Sequence, residues 1–288
     1  MSHASLDPVG PVAPEQDVDA AVRRAAQLRR FREAYGRHRA AEGRGSDALT
    51  ALPYVKHGPH ASAWQVRART FERFITAVVE VRAAEVSGRA LRVVDLGAGN
   101  GWLCQRLVER GHVGIAIDLR DDNVDGLGAA DPIAAEARPR FGRVVGSFEA
   151  VPLPDRCCDI AVFNAALHYA LDLRATMAEA ARIVRPGGRV VILDSPFYPS
   201  ESDGRAMVAD KRRAASERFG ALAPDLTALP FIEFLTRDRL MAASPERLPA
   251  WRRHRVRYPV AYELRPLLAR LRGRRAPSRF DLWEAHVS

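Results

Sequence analysis

The fold of this chain is decided by the stretch Arg92-Val93-Val94-Asp95-Leu96-Gly97-Ala98-Gly99-Asn100-Gly101. An apolar run meets an acid and three glycines, and a helix-forming segment begins at Trp102. Glycine suits a backbone that turns sharply or that a ligand approaches closely, and the first N–H groups of the next helix are free to bind that ligand. The stretch predicts a loop for a nucleotide-type cofactor. Dinucleotide sites carry Gly-x-Gly-x-x-Gly, and this chain has Trp102 where their third glycine falls.

A second apolar run, Val113-Gly114-Ile115-Ala116-Ile117-Asp118, ends in a carboxylate 17 residues beyond Gly101. An acid at the end of the second strand lies beside the first loop, where it can accept both hydroxyls of a ribose. With Asp95-Leu96-Gly97-Ala98-Gly99-Asn100-Gly101 before it, the chain resembles the class I S-adenosylmethionine-dependent methyltransferases, and in particular their type 11-like domain. The resemblance implies S-adenosyl-L-methionine as the cosubstrate.

Three further segments stand in the order that this family has. Residues 144–155 resemble its third strand and the loop beside adenine, and residues 158–169 resemble its fourth strand and the segment over the reaction centre. Residues 182–189 resemble the turn before the fifth strand, 190–194. The resemblance covers about residues 90 to 196.

The fold class implied is α/β: a Rossmann-like, doubly wound, mainly parallel sheet of seven strands with ligand at the carboxyl ends of the strands. Strands expected near 253–258 and at 279–287, with a helix through Tyr262 to Arg272 between them, match the antiparallel C-terminal hairpin of that sheet. Apolar residues recur at helical spacing from Asp17 and again from about Ser62, which predicts a helical N-terminal cap.

The domain organisation follows from these patterns. Residues 1–16 carry three prolines without periodicity and are expected to form a disordered arm. Residues 17–89 form the helical cap, and residues 90–288 form the methyltransferase domain. The segment at about 196–250, between the fifth and sixth strands, is expected to be an insertion that binds the acceptor.

The resemblance assigns cofactor contacts residue by residue. Asp95 orients the glycine loop and, through water, the ammonium group; Asp118 holds the ribose. Ser147 and Phe148 face adenine, although many relatives have an acid where this chain has Ser147, and a hydroxyl accepts a hydrogen bond less strongly than a carboxylate. The expected cofactor-binding residues are Asp95, Gly97, Ala98, Gly99, Gly101, Asp118, Leu119, Ser147, Phe148 and Asn164.

A general base is required only if the acceptor must lose a proton. His168 follows the fourth strand, where relatives often carry a Leu-His pair, and an imidazole with an ordinary pKa near 6.5 can accept a proton at neutral pH. The alternative is an imidazole that is satisfied by backbone and shapes the floor of the pocket.

Acceptor contacts are expected on loops that a rigid scaffold holds. Aromatic residues after the fifth strand, including Phe231 and Phe234, either line an acceptor pocket or belong to the core. His57 and His60 lack a third ligand at a recognisable spacing, so no metal site is expected. The expected acceptor residues are Tyr54, His57, Tyr169, Phe197 and Tyr198.

Composition bounds the partners. The 288 residues carry a formal net charge of +9, with arginine-rich stretches at 252–257 and 270–275. These stretches lack the interleaved aromatic residues that stack on unpaired bases, so a nucleic-acid partner is disfavoured and a small-molecule acceptor is expected. A methyltransferase acting on RNA, or a protein that binds S-adenosylmethionine without turnover, remain the alternatives.

The setting expected is cytoplasmic. The sequence has no run of 18 apolar residues, and its first 20 residues do not have the pattern of a secretory signal, so no membrane partner is expected. The three cysteines, Cys104, Cys157 and Cys158, have neither metal-ligand spacing nor an even count for disulfides.

Overall fold

The computed structural model of the protein describes residues 15–43 and 49–288. The arm predicted at 1–16 lies outside the described residues, except that residues 15 and 16 begin the first helix. Apart from residues 44–48, the cap and methyltransferase segments fall in the described part.

One seven-stranded sheet organises the chain, in the order β3-β2-β1-β4-β5-β7-β6. Strands β1 to β5 pair in parallel, and β7 runs antiparallel to both β5 and β6. This confirms the predicted doubly wound sheet and its antiparallel C-terminal hairpin. The strands are β1 (Arg92–Leu96), β2 (Val113–Asp118), β3 (Phe141–Val145), β4 (Cys158–Asn164), β5 (Val184–Leu193), β6 (Trp251–His254) and β7 (Leu282–His286).

Helices cover the sheet, since parallel strands must be buried on both faces. All seven residues of β4 are buried, as this arrangement requires. The helices are α1 (Glu15–Ala41), α2 (Ala61–Phe74), α3 (Glu80–Glu85), α4 (Trp102–Glu109), α5 (Asp131–Glu136), α6 (Leu173–Ile183), α7 (Glu201–Arg213), α8 (Ala215–Phe219), α9 (Ala223–Thr227), α10 (Arg237–Ala243), α11 (Val260–Glu263) and α12 (Arg265–Leu271). A π-helical segment, Ile75–Val79, joins α2 to α3.

The C-terminal strands begin and end elsewhere than predicted. The strand expected at 253–258 is found at Trp251–His254, because the chain leaves the sheet there and Tyr258 packs instead against α2. The hydroxyl groups of Tyr258 and Thr70 lie 3.0 Å apart. The alternation of apolar residues around Val256 therefore reports burial outside the sheet.

The N-terminal cap and the segment after β5 meet each other over the sheet. Phe31 and Ala34 of α1 are buried against Leu226 and Leu229. Both segments also contact Tyr169, which follows β4. They therefore cover the sheet at the carboxyl ends of its parallel strands.

Cys104, Cys157 and Cys158 form no disulfide. Among residues 15–43 and 49–288, no helix is long and apolar enough to cross a bilayer.

Candidate functional site

The glycine loop requires glycine at its two ends for different reasons. Gly97 has φ of +81°, and a Cβ there would lie 2.4 Å from the Cβ of Ala166, so a larger residue would push the loop off the end of β4. Gly101 has φ of +74° and is the N-cap of α4. Trp102 packs edge-on against Trp64 and Phe71, which fixes α4 and the loop in front of it.

Asp118, at the end of β2, is oriented by the loop that it faces. One carboxylate oxygen accepts the N–H of Gly99 and the other accepts the N–H of Arg120, each at 2.8 Å. Burial raises the pKa of Asp118, and these two hydrogen bonds oppose the rise. Each carboxylate oxygen keeps capacity for a further donor, which is what two ribose hydroxyls supply.

Two buried polar groups beside the loop have no partner in the described structure. Both oxygens of Asp95 and the amide oxygen of Asn164 make no hydrogen bond. Burial, and then the charge of Asp118, raises the pKa of Asp95 well above its usual range. Because an unpaired buried polar atom is costly, these oxygens fit a ligand or bridging water that carries donors, such as the ammonium end of S-adenosylmethionine.

One cavity opens at the carboxyl ends of β1, β2 and β4. Its lining includes Gly97, Ala98, Gly99, Asp118, Leu119, Phe148, Asn164 and Tyr169 from the residues that the sequence singled out. Asp95 and Gly101 lie behind this lining and support the loop, while Ser147 uses its hydroxyl oxygen to accept the N–H of Glu149 at 3.1 Å. Phe148 stands edge-on to Phe163, so its ring forms a wall of the cavity.

Helix α1 closes the cavity from above with residues that the sequence analysis did not identify as site residues. Arg39 donates to Asp125 at 2.6 Å, and Arg120 lies 3.6 Å from the same carboxylate. Tyr35 lies against both guanidinium groups. These contacts tie α1 to the loop after β2, and all four side chains line the cavity.

Four aromatic rings form a wall of the cavity where α1 meets the residues after β4 and the insertion. Phe31 stands edge-on to Phe231 with ring centres 4.7 Å apart, and Tyr169 stands edge-on to Tyr35 at 5.6 Å. The Tyr169 hydroxyl donates to the Tyr35 hydroxyl at 3.2 Å. This wall (Phe31, Tyr35, Tyr169, Phe231) is suited to an apolar or aromatic molecule.

The other aromatic residues considered for the acceptor lie in the core. Phe197 is buried and stacks on Trp283 at 5.0 Å, and Tyr198 is buried edge-on to Phe234. Phe197 and Tyr198 thus belong to the core, which is one of the two alternatives that the sequence left open. Only Phe231 of this group reaches the cavity.

Tyr54 and His57, in the loop before α2, do not line the cavity. Tyr54 is 40% exposed, donates to Glu72 and lies under Arg106, and His57 is exposed. Leu52, from the same loop, does reach the cavity wall. The acceptor roles of Tyr54 and His57 stay predictions, and they require a further movement of this loop.

Arg67 of α2 lines the cavity, although no motif in the sequence singles it out. It is half-buried, lies over Trp64 at 5.0 Å, and has no carboxylate within ion-pair distance among the residues that the structure describes. The other arginines of the lining, Arg32, Arg39 and Arg120, each have an acidic partner. A half-buried cation without a partner is suited to binding an anionic group of a ligand.

His168 and Asp194 lie behind the cavity lining. Burial, followed by the charges of Lys211 and Arg67, lowers the pKa of His168 to about 3, and its Nδ1 has no partner. Burial raises the pKa of Asp194 to about 6, against the opposing effects of Arg67 and a hydrogen bond from Thr70. Asp194 and Ala165, each at the end of a strand, have positive φ without being glycine, and such strain often accompanies functional sites.

No group of three or more candidate metal ligands occurs within residues 15–43 and 49–288. The chemistry of the cavity comes from a carboxylate beside a glycine loop and from an adjoining aromatic wall.

The central part of the chain is similar in sequence to known proteins. Residues 94–192 match the family model described as a methyltransferase domain. An uncharacterized methyltransferase of Mycobacterium tuberculosis is 41% identical over 101 residues, which are 35% of this chain and 38% of that protein. The malonyl-[acyl-carrier protein] O-methyltransferase of Serratia marcescens is 31% identical over 100 residues, or 35% and 36% of the two chains. The matched part is thus well under half of each relative.

A solved structure extends the likeness of fold. Geranyl diphosphate methyltransferase in complex with S-adenosylmethionine superposes with a TM-score of 0.50 and 15% identity, over 83% of this chain and 95% of that one. At that identity the likeness concerns the fold alone.

Proposed function

The chain belongs to the class I S-adenosylmethionine-dependent methyltransferases, and from that premise we propose that it transfers a methyl group to an oxygen, nitrogen or activated carbon of a small molecule, leaving S-adenosylhomocysteine. The observation that carries the proposal is the pairing of a ribose-type carboxylate, Asp118, with an aromatic wall in one cavity. The first suits the cosubstrate and the second suits an apolar acceptor.

The residues of the chain bind and orient. Asp118 accepts the ribose hydroxyls, Phe148 flanks adenine, and the unpartnered oxygens of Asp95 and Asn164 receive donors from the methionine end, directly or through water. When bound, S-adenosylmethionine supplies a methyl group on an electrophilic sulfonium. Holding an acceptor atom in line with such a group can supply much of the acceleration.

Helix α1 and the insertion cover the cavity and exclude water from the acceptor. Phe31 and Tyr35 come from α1, while Phe231 comes from the insertion, so the acceptor face exists only when both segments are packed. This arrangement supports the proposal that residues 17–89 are a cap and that about 196–250 serve acceptor binding. Three unpaired thiols agree with the cytoplasmic setting that we also propose.

Calorimetry tests the function. The purified chain should bind S-adenosylhomocysteine and not NAD, and it should move labelled methyl groups from S-adenosylmethionine into a mixture of small molecules. Micromolar NAD binding, or label that enters only RNA at physiological salt, would contradict the proposal.

The unpaired Arg67 leads to a prediction about the carboxylate of the methionine end. Arg67→Gln should weaken S-adenosylhomocysteine binding by about 1–2 kcal/mol, because a charge-assisted hydrogen bond is lost at a half-buried site. Adenosine has the ribose but no carboxylate, so its affinity should not change. Arg69→Gln, an exposed arginine of the same helix, is the matched control. An equal loss for both ligands would assign Arg67 to folding of the cap.

A base role for His168 stays a prediction, and its burial disfavours it. A base in the mechanism would cost about 10²–10⁴ in kcat when replaced. With a pKa near 3 the imidazole is a poor proton acceptor, so we expect His168→Gln to lower kcat less than about tenfold on an acceptor found in the labelling experiment. A larger loss that shrinks for more acidic acceptors would restore the base role.

A further inference from the structure

The segment between β6 and β7 carries apolar side chains on its outer side. Val260, Leu264, Leu267, Leu268 and Leu271 have helical spacing over α11 and α12, and we call them the apolar face. Their exposed fractions are 73%, 44%, 54%, 41% and 74%. A surface helix normally turns such a stripe toward the core. Here the pattern is inverted.

The inner side of the same helices is already satisfied by polar and aromatic contacts. The Tyr262 hydroxyl accepts the N–H of Phe280 at 3.1 Å, and Arg279 donates to Glu263 at 3.1 Å. Arg265 lies over the Tyr262 ring and donates to the carbonyl of Ser278. Because these contacts dock the helices, the leucines are not needed to hold them, and contiguous exposed leucines indicate an interaction surface.

Charge narrows the choice of partner. Residues 264–280 contain six arginines and no acid. Three of them, Arg270, Arg272 and Arg274, are exposed and make no ion pair with any residue in the described part of the chain. The apolar face is therefore flanked by free cations, and an anionic partner complements it.

The combination of leucine and arginine separates the possible partners. A second copy packed face to face would bring the same arginines together, and like charges across an interface are unfavourable. Nucleic acid would neutralise the arginines but leave the leucines without an apolar partner, since its backbone is charged throughout. An anionic lipid surface accommodates both, because leucines enter the boundary of the acyl chains while arginines reach the phosphates.

We propose that the apolar face and its free arginines bind the chain peripherally to an anionic phospholipid surface. This goes beyond the methyl transfer and does not depend on it. The binding adds a partner that the sequence did not predict, and it needs no membrane-spanning helix.

Co-sedimentation of the full chain with vesicles tests the proposal. The protein should sediment with vesicles that contain phosphatidylglycerol, and much less with vesicles of phosphatidylcholine alone or at high salt. The variant Leu267→Ser/Leu268→Ser/Leu271→Ser should lower the partition coefficient at least about tenfold, since three exposed side chains lose their apolar burial. The variant Arg270→Gln/Arg272→Gln/Arg274→Gln should lower the partition coefficient by a similar factor.

Matched controls remove the same kind of group elsewhere. Arg140→Gln/Arg212→Gln/Arg237→Gln removes three exposed positive charges, and Val81→Ser removes an exposed apolar side chain that is 48% exposed. Both controls should bind vesicles within about twofold of the wild type. If overall net charge alone caused the binding, the two triple arginine variants would instead lose affinity equally. Unfolding curves confirm that each variant is folded.

Three outcomes would overturn the proposal. A wild type that stays in the supernatant would leave an acidic protein as the partner. Vesicle binding that survives in the leucine variant would reduce the interaction to charge attraction. A dimer in sedimentation velocity that the leucine variant dissociates would make the apolar face an interface between copies of this chain.

Discussion

Asp118→Ala is expected to weaken binding of S-adenosylhomocysteine by about 1.5–3 kcal/mol, or roughly ten- to a hundredfold, through loss of hydrogen bonds to a charged acceptor. The carboxylate is held by the N–H groups of Gly99 and Arg120, so it is oriented before ligand arrives. Calorimetry with purified wild type and variant measures the difference.

Ligand truncation makes the Asp118 result specific. Adenosine keeps the ribose, so Asp118→Ala should weaken adenosine binding by the same factor. Arg67→Gln should leave adenosine binding unchanged. Glu246→Ala removes an exposed acid in the segment after α10, and it controls for the change of net charge. If Asp118→Ala left adenosine affinity unchanged, the ribose would have to be bound elsewhere.

Asp194→Asn is expected to stabilise the folded protein above about pH 6, by up to roughly 3 kcal/mol. Asp194 is 6% exposed, and burial raises its pKa from 3.8 to about 6. An amide avoids the cost of ionising a carboxyl group that has one oxygen without a partner. Urea unfolding of wild type and variant, at about pH 4 and about pH 7.5, measures the difference in free energy of unfolding.

The sign of this change in stability with pH follows from proton linkage. The folded protein holds the Asp194 proton more tightly than the unfolded chain does, so the contribution of this group to stability is present below about pH 4 and is lost as pH rises through about 6. The variant should therefore gain on the wild type between these two pH values. Asp155→Asn, at an exposed position, should gain little. A difference that is equal at both pH values would mean that Asp194 ionises normally.

The backbone of Asp194 is also strained, which bears on the role of this residue in the site. A residue other than glycine with φ of +49° and an unpaired buried carboxyl is held in place by its surroundings at a cost in stability. A variant that is more stable but less active would indicate that the cost serves the site, since stability and activity often trade against each other at functional positions.

The sequence determined the sheet and which loop residues gather at the carboxyl ends of its strands. Glycines at 97, 99 and 101, and an acid ending each of two apolar runs, are local patterns, and their order along the chain fixes the parallel sheet and places Asp118 beside the loop. The cavity indeed brings Gly97, Asp118, Phe148 and Asn164 together.

Only the tertiary structure decided which residues complete the cavity. Periodicity indicates that Tyr35 lies on an apolar helix face, but not that this face meets Tyr169, 134 residues away. It cannot tell Phe231, at the cavity, from Phe197, in the core, because both are aromatic residues of one insertion. The same limit applies to Arg67, whose lack of a partner depends on everything packed around it. Local sequence sets which groups a segment carries, whereas long-range packing sets which of them are buried, paired or left facing a ligand.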